Sequence, residues 1–254
     1  LLLLPASELA IALVQRLAAR LAPPRRLPRL DYSEGIPEDA RTLVVVPTLL
    51  ATVEGVERQL EHLEVLALGN LDPHVHFAIL SDFRDAKTAT TDADEAILAA
   101  AVAGVGELNR RHAPETRDKF FLFHRDRLWN PKEGVFMGWE RKRGKIEEFN
   151  RLLRSPEDDS FSVRIGELSI LPSVRYVLTL DADSRLPRGV AGTLVGILSH
   201  PLNRALVDPV SRRVTEGYGI LQPRVSVTLT SAAGSLFARV YSGHTGVDPY
   251  STAV

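Results

Sequence analysis

Asp181 and Asp183 stand one residue apart, immediately after the apolar run Tyr176-Val-Leu-Thr-Leu180. Val177 to Leu180 read as a fully buried strand, too short for a helix and dry on both faces. The two carboxylates then emerge at the strand's carboxyl end, the edge where open α/β sheets bind ligands. Together they form a hard, oxygen-rich donor set, suited to Mg²⁺ or Mn²⁺ carrying a phosphate-bearing substrate. The same residues also fit an Asx turn capping the helix after Pro187, and the pair alone leaves both readings open. Asp92-Ala-Asp94 repeats the spacing with no apolar strand before it. It opens the run Glu95-Ala-Ile-Leu-Ala-Ala and reads as helix-capping acid at the positive end of the dipole.

Other strand ends carry polar groups as well. Pro47-Thr48 follows the run Thr42-Leu-Val-Val-Val46, and Asp82 follows His76-Phe-Ala-Ile-Leu80. In a parallel sheet these ends share one edge, so residues far apart in sequence converge there. Asp82 could accept a hydrogen bond from the N–H of a base ring, or cap the next turn. Gly144-Lys145 offers a point charge for a diphosphate beside a residue that lets the backbone approach closely. Asn150, five residues on, falls one to two helical turns along and could brace that loop. Arg141, Lys142 and Arg143 read as a solvated face or a contact with anionic lipid.

The elements that must position these groups alternate between strand and helix, the pattern of an α/β parallel sheet with crossover helices. Val53, Val56, Leu60, Leu63 and Ala67 recur at helical spacing until Gly69-Asn70. A long helix is expected over 92–112, a third strand over Phe120–Phe123, and helices over 146–153 and 190–198. Residues 155–173 read as an exposed insertion, and Gly219–Pro223 as a late strand. Pro23-Pro-Arg-Arg-Leu-Pro28 is a stiff linker that ends the first helix.

A length of 254 residues suffices for one large α/β domain, and 44% hydrophobic with 25% charged residues is ordinary for a soluble globular chain. The net charge of −1 gives no overall pull toward nucleic acid. The absence of cysteine excludes disulfides, thiolate metal sites and cysteine nucleophiles. The chain begins at Leu1 rather than Met and stops at Val254, so it reads as a piece of something longer. Near its start Ile11, Leu13, Val14, Leu17 and Leu21 share a helical face, with Gln15, Arg16 and Arg20 opposite. That is the end of a transmembrane helix or an amphipathic helix in the interface, with an ordinary packed helix as the alternative. Arginines at 16, 20, 25, 26 and 29 favour the cytoplasmic side. Basic residues that follow the apolar stretch argue against a signal peptide. The expected division is a membrane-proximal segment over 1–30 and a catalytic domain over 31–254.

Taken together, strand-Pro47, strand-Asp82, Gly-Lys145-(x)4-Asn150 and strand-Asp-x-Asp resemble the processive inverting glycosyltransferases of the family 2 type, which have the GT-A fold. Leu27-Pro-Arg-Leu-Asp-Tyr-Ser-Glu-Gly-Ile-Pro37, His124-Arg-Asp-Arg-Leu-Trp-Asn-Pro131 and Gly217-Tyr-Gly-Ile-Leu-Gln-Pro-Arg224 look like the glycosyltransferase region of bacterial cyclic β-1,2-glucan synthases. The likeness spans nearly the whole chain. It implies transfer from UDP-glucose, with Mg²⁺ or Mn²⁺, onto a growing β-1,2-glucan at the cytoplasmic side of a bacterial inner membrane. By that likeness Pro47 and Thr48 border the donor, Asp82 contacts the uracil, and Lys145 contacts the nucleotide or diphosphate. Asp181 lies near the sugar and ribose and shares the metal with Asp183, while Gln222 and Arg224 border the sugar or acceptor.

One departure stands out. An inverting transferase needs a carboxylate base near the acceptor hydroxyl, and after Arg224 the sequence offers only Asp248, in a turn-like Gly246-Val-Asp-Pro249. A catalytically incomplete nucleotide-sugar-binding module is therefore the first alternative. A phosphohydrolase with an aspartyl nucleophile is the second, although its strand-Asp-x-Asp opens the fold, whereas here about two-thirds of the chain precedes it. No strand is followed by Gly-x-Gly-x-x-Gly, which argues against a dinucleotide oxidoreductase.

Overall fold

The computed structural model describes residues 3–21, 26–112, 118–155 and 157–223. The chain divides into two units, one of Arg29–Ser199 and one formed from residues 1–28 with 200–254.

The larger unit is built on strands β1 (Thr42–Leu50), β2 (Val75–Phe83) and β3 (Phe120–Arg125), separated by helices α2 (Val53–Gly69) and α3 (Asp94–His112). A hairpin of β4 (Leu128–Asn130) and β5 (Val135–Met137) leads to α4 (Arg141–Leu152), β6 (Val163–Ile165), β7 (Tyr176–Thr179) and α5 (Val190–Ser199). The main sheet has the order β6-β3-β2-β1-β7. Its strands are parallel except β6, which pairs antiparallel to β3.

The apolar runs become strands because both faces of the sheet are covered, so alternate side chains enter separate cores. Val44, Val46, Phe77, Ile79, Phe120 and Leu122 pack in one cluster with Val56, Leu63, Leu66, Ile97, Ala101 and Val105 of α2 and α3. Leu43, Val45, Ala78, Leu80, Phe121 and Phe123 point the other way, onto Phe149 and Leu152 of α4. Helix α2 starts at Thr52, whose hydroxyl accepts from Gly55 N–H at 3.0 Å. It ends at Asn70, whose side chain donates to the Leu66 carbonyl and accepts from Ala191 N–H, tying α2 to α5.

Three expectations need correction. Residues 155–173 are not an exposed insertion: β6 extends the sheet, and Phe161, Ile170 and Leu171 are buried in the second core. Their apolar residues are too irregularly spaced to betray a short strand followed by a 3₁₀ segment, Leu168–Ser173. Strand β7 is only half-buried, because β1 covers one of its edges and no described strand pairs with the other. Gly219–Pro223 forms no strand, and Ile220 is 87% exposed. Three residues between a glycine and a proline need a neighbouring ladder to satisfy their backbone, and none of the described strands supplies one.

The smaller unit contains α1 (Leu3–Leu21) and a hairpin of β8 (Leu206–Val207) and β9 (Val214–Glu216). No described helix is long and apolar enough to cross a membrane. Helix α1 nevertheless exposes Leu9, Leu13, Val14, Leu17 and Leu21.

Candidate functional site

The row of β2 side chains that faces α4 runs Ala78, Leu80, Asp82, and the matching row of β3 runs Phe121, Phe123, Arg125. The sheet's second core thus changes from apolar to charged at its carboxyl edge. Asp82 and Arg125 are register partners on adjacent parallel strands, which places their side chains abreast. Arg125 grips Asp82 with two hydrogen bonds, Nε to Oδ1 at 2.7 Å and Nη2 to Oδ2 at 2.9 Å. This bidentate fork is the geometry in which arginine binds carboxylate best. Lys145, from α4, completes the group with Nζ 3.0 Å from Asp82 Oδ2 and 2.5 Å from the Thr48 carbonyl it donates to. Glu148, one turn along α4, accepts from Arg125 Nη1.

Two carboxylates and two cations therefore sit together, with side-chain exposures of 2% for Asp82 and Lys145, 3% for Arg125 and 11% for Glu148. Burial works against the charge on Arg125, but its hydrogen bonds to Asp82 and then Glu148 outweigh it and raise the pKa. For Lys145 burial dominates and lowers the pKa, with Asp82 opposing. The set is neutral as a whole, which is what allows it to be buried.

Arg125 also organises what precedes α4. Its Nη1 donates to the Trp139 carbonyl at 3.1 Å and its Nη2 to the Arg141 carbonyl at 3.2 Å. Between them Glu140 and Arg141 both have left-handed backbones, φ 49° and 48°. That conformation is strained for non-glycine residues and persists only where the surroundings impose it. Gly138 must lack a side chain, since a Cβ would lie 2.5 Å from Asp82 Cγ and 2.9 Å from Arg125 Nη2. Beneath the carboxyl edge, His124 accepts or donates through Nδ1 to Ser81 Oγ at 2.9 Å, and burial pushes its pKa down to about 4.

Gly144 and Lys145 are not in a loop, as the sequence suggests, but inside α4. Gly144 serves close packing, because a Cβ there would collide with the Trp139 carbonyl and lie 2.8 Å from its ring. Asn150 is half-buried farther along α4 and makes no side-chain hydrogen bond among the described residues. Pro47 is buried within β1. Val45 uses its carbonyl toward β7, accepting from Leu180 N–H at 3.0 Å. Pro47, two residues on, turns its backbone to that same side but has no N–H to offer. There the chain of β7 leaves β1 and turns.

That turn carries Asp181 and Asp183, closed by Ser184 N–H donating to the Asp181 carbonyl at 2.9 Å. Both aspartates are exposed. Asp181 is paired with Lys142 of α4, and the Asp183 carboxylate makes no hydrogen bond among the described residues. Neither side chain caps the helix that follows Pro187. His62 of α2 lies near the Ser184 backbone of this turn; burial is the chief reason its pKa is lowered. Asp94, the other Asp-x-Asp carboxylate, is structural, bound by Thr91 and by both terminal nitrogens of Arg127. No group of three or more His, Asp or Glu side chains poised for a metal occurs among the described residues.

Of the expected residues, the structure brings Thr48, Asp82 and Lys145 into contact, and Pro47 lies on the same strand as Thr48. Asp181 follows the neighbouring strand β7, whose register with β1 ends at Thr179 opposite Val45. Gln222 is exposed in the smaller unit, and Arg224 lies outside the described residues.

The chain is 45% identical over 248 residues to the cyclic beta-(1,2)-glucan synthase NdvB of Rhizobium meliloti (strain 1021). It is homologous to part of a glucan synthase. The match covers 97% of this chain and 9% of that protein, so the resemblance read from the sequence holds for a short segment of the relative. No protein-family model matches.

Arg125, Glu148, Gly138 and His62 were not singled out from the sequence. A signal existed for the first: Arg125 ends the run Phe120-Phe-Leu-Phe-His-Arg125, and a charge that continues a buried strand requires a buried partner.

Proposed function

We propose that this chain forms the donor-binding part of a GT-A-type, inverting glucosyltransferase that builds β-1,2-glucan from UDP-glucose. The observation that carries the reading is the carboxyl edge of the parallel sheet. Thr48 and Asp82 lie among the last residues of adjacent strands there, and β7 hands its chain to a turn with two exposed carboxylates. Open α/β sheets bind nucleotides at this edge, and the homologous synthase makes a cyclic β-(1,2)-glucan.

Asp181 and Asp183 fit a divalent cation of the Mg²⁺ or Mn²⁺ kind, because such ions need only one or two carboxylates when substrate phosphates and water complete the shell. When bound, the ion would neutralise the charge that develops on the departing diphosphate. Lys142 holds Asp181 in an exposed pair, with side chains 54% and 58% accessible. Pairs of that kind are worth at most ~1 kcal/mol, so Lys142 is readily released toward an incoming phosphate. Lys145 and Arg125 act differently: they fix Asp82 and the strained turn before α4, and so shape the nucleoside side of the crevice. The acceptor hydroxyl attacks the anomeric carbon and must lose its proton to a base. Asp248, which reads as a turn residue and not as that base, lies outside the described residues. The exposed apolar row of α1 supports attachment to the inner face of a bacterial membrane.

Calorimetric titration with UDP-glucose, with and without Mn²⁺, tests the proposal. Saturable, Mn²⁺-dependent binding that Asp183→Asn abolishes is expected. Binding unaffected by that substitution would refute the assigned role.

A further inference from the structure

A concave surface lies on the larger unit at the β4–β5 hairpin, bordered by the turn before α4. The β4–β5 hairpin and the segment before α4 enclose a half-open cleft of about 370 Å³, within the size range of small-ligand sites. Trp129 and Trp139 line it together with Asn130, Glu133, Met137 and Arg141. Trp129 is 52% and Trp139 39% exposed, unusual for the two largest apolar side chains in a domain with a well-filled core.

Both rings are held in place. Trp129 lies across the hairpin from Phe136, with ring centroids 5.1 Å apart. The hairpin is pinned to the chain after β2 by two hydrogen bonds between Ala86 and Phe136, at 2.8 and 3.0 Å. Trp139 is fixed by Arg125 on its carbonyl and by Gly144 packed against its ring. Asn130 is committed as well, accepting from Lys132 N–H and donating to the Met137 sulfur. The walls are preorganised, so a ligand there has little ordering cost to overcome.

The charges decide the ligand class. Arg141 is already bound by two carboxylates, Asp85 and Glu133, both at 2.7 Å. The lining also holds Lys132 and Glu140, so two cations face two carboxylates there; a phosphate-bearing ligand would meet no net positive charge and would compete with Asp85 and Glu133 for the guanidinium. A neutral ring with one apolar face and a rim of hydroxyls meets no such conflict: the face lies on indole, and the hydroxyls bond to carboxylate and guanidinium edges. We infer that the Trp129–Trp139 cleft is a holding site for a glucosyl unit of a neutral β-glucan, bordering the donor crevice across the turn before α4. This rests on the reading of the chain as part of a glucan synthase.

The chain has only two tryptophans, and both line the cleft, so intrinsic fluorescence reports on it directly. Titrating the chain with β-1,2-linked gluco-oligosaccharides is expected to change tryptophan emission saturably. Trp129→Ala, at an exposed position, should weaken the response, read through Trp139, by about tenfold. It should leave calorimetric UDP-glucose binding unchanged. Trp139→Phe retains an aromatic ring and should retain oligosaccharide binding, read by calorimetry. Four outcomes would overturn the inference. One is no oligosaccharide response from a chain that binds UDP-glucose, which spares the donor site. Another is oligosaccharide binding equally tight in Trp129→Ala. A third is a Trp129-dependent response to uridine nucleotides in place of sugar. The last is a folded chain that binds neither ligand, which would remove the donor-site reading too.

Discussion

Asp82→Asn subtracts one charge from the buried set and shows whether charge compensation holds it together. Arg125 retains Glu148 and two backbone carbonyls after the change. Lys145 retains the Thr48 carbonyl alone among its described partners, with its side chain 2% exposed. Breaking a buried pair from one side costs ~3–5 kcal/mol, a large part of the ~5–15 kcal/mol that keeps a domain folded. A pH signature accompanies the loss. Burial already depresses Lys145 below the ordinary 10.5, and Asp82 is what opposes it. Without Asp82 the folded pKa drops further while the unfolded one stays. Between those two values the unfolded chain carries more protons, so stability must rise with pH through a window extending downward from about 10.5. Urea unfolding followed by circular dichroism, at neutral and at alkaline pH, should show a larger loss near pH 7 than near pH 9.5. Asp82→Asn combined with Lys145→Met should recover at least half of it, because the orphaned ammonium is gone. A single variant that loses under ~1 kcal/mol at both pH values would refute the reasoning. So would a double variant as unstable as the sum of its parts.

Gly144→Ala should lower stability by ~1–3 kcal/mol and shift tryptophan emission, since the added methyl must displace Trp139; an unchanged melting temperature would contradict the packing described. Acid should act in two windows. His76 and His124 both have folded pKa values of about 4, lowered chiefly by burial, so the stability of their neutral forms is complete above about 6.5 and drains as pH falls toward 4. Asp94 has a folded pKa of about 2, lowered chiefly by Arg127, so its contribution is present above 3.8 and is lost as pH falls toward 2. Urea midpoints measured across this range should fall in both windows, and Asp94→Asn should flatten the lower one; a midpoint constant from pH 6.5 to 4 would contradict the upper one.

The strands that carry the site were legible because a sheet covered on both faces writes itself as unbroken apolar runs: Thr42–Val46, His76–Leu80 and Phe120–Phe123 all appear as strands. Helices α2 and α3 were legible through their spacing and their stops. Asp82 and Lys145 could be picked out as polar groups near an apolar edge, yet nothing in one sequence says that they bind each other across 63 positions. Such pairing is set by sheet register and by helix placement, and both are tertiary. Lys145 reads as a loop residue because Gly144 precedes it, whereas the missing side chain of Gly144 serves contact with Trp139 within a helix. Half-burial of β7 was invisible for a related reason. Its residues are as apolar as those of β2, and only the neighbours present or absent distinguish a central strand from an outer one.

Pro47 adds a different kind of constraint. The pairs around Asp82 respond to pH and to the identity of each partner, so the crevice wall they build is adjustable. The seam between β1 and β7 is not. Beyond Val45, further zipping on that side would require a donor that an imino acid does not possess, and no change of salt, temperature or protonation can create one. The loss of that one bond is thus fixed by covalent structure, whatever the Pro47 carbonyl beside it accepts. That missing donor persists under conditions that loosen the ion pairs beside it, so the disfavour against pairing there does not vary with protonation.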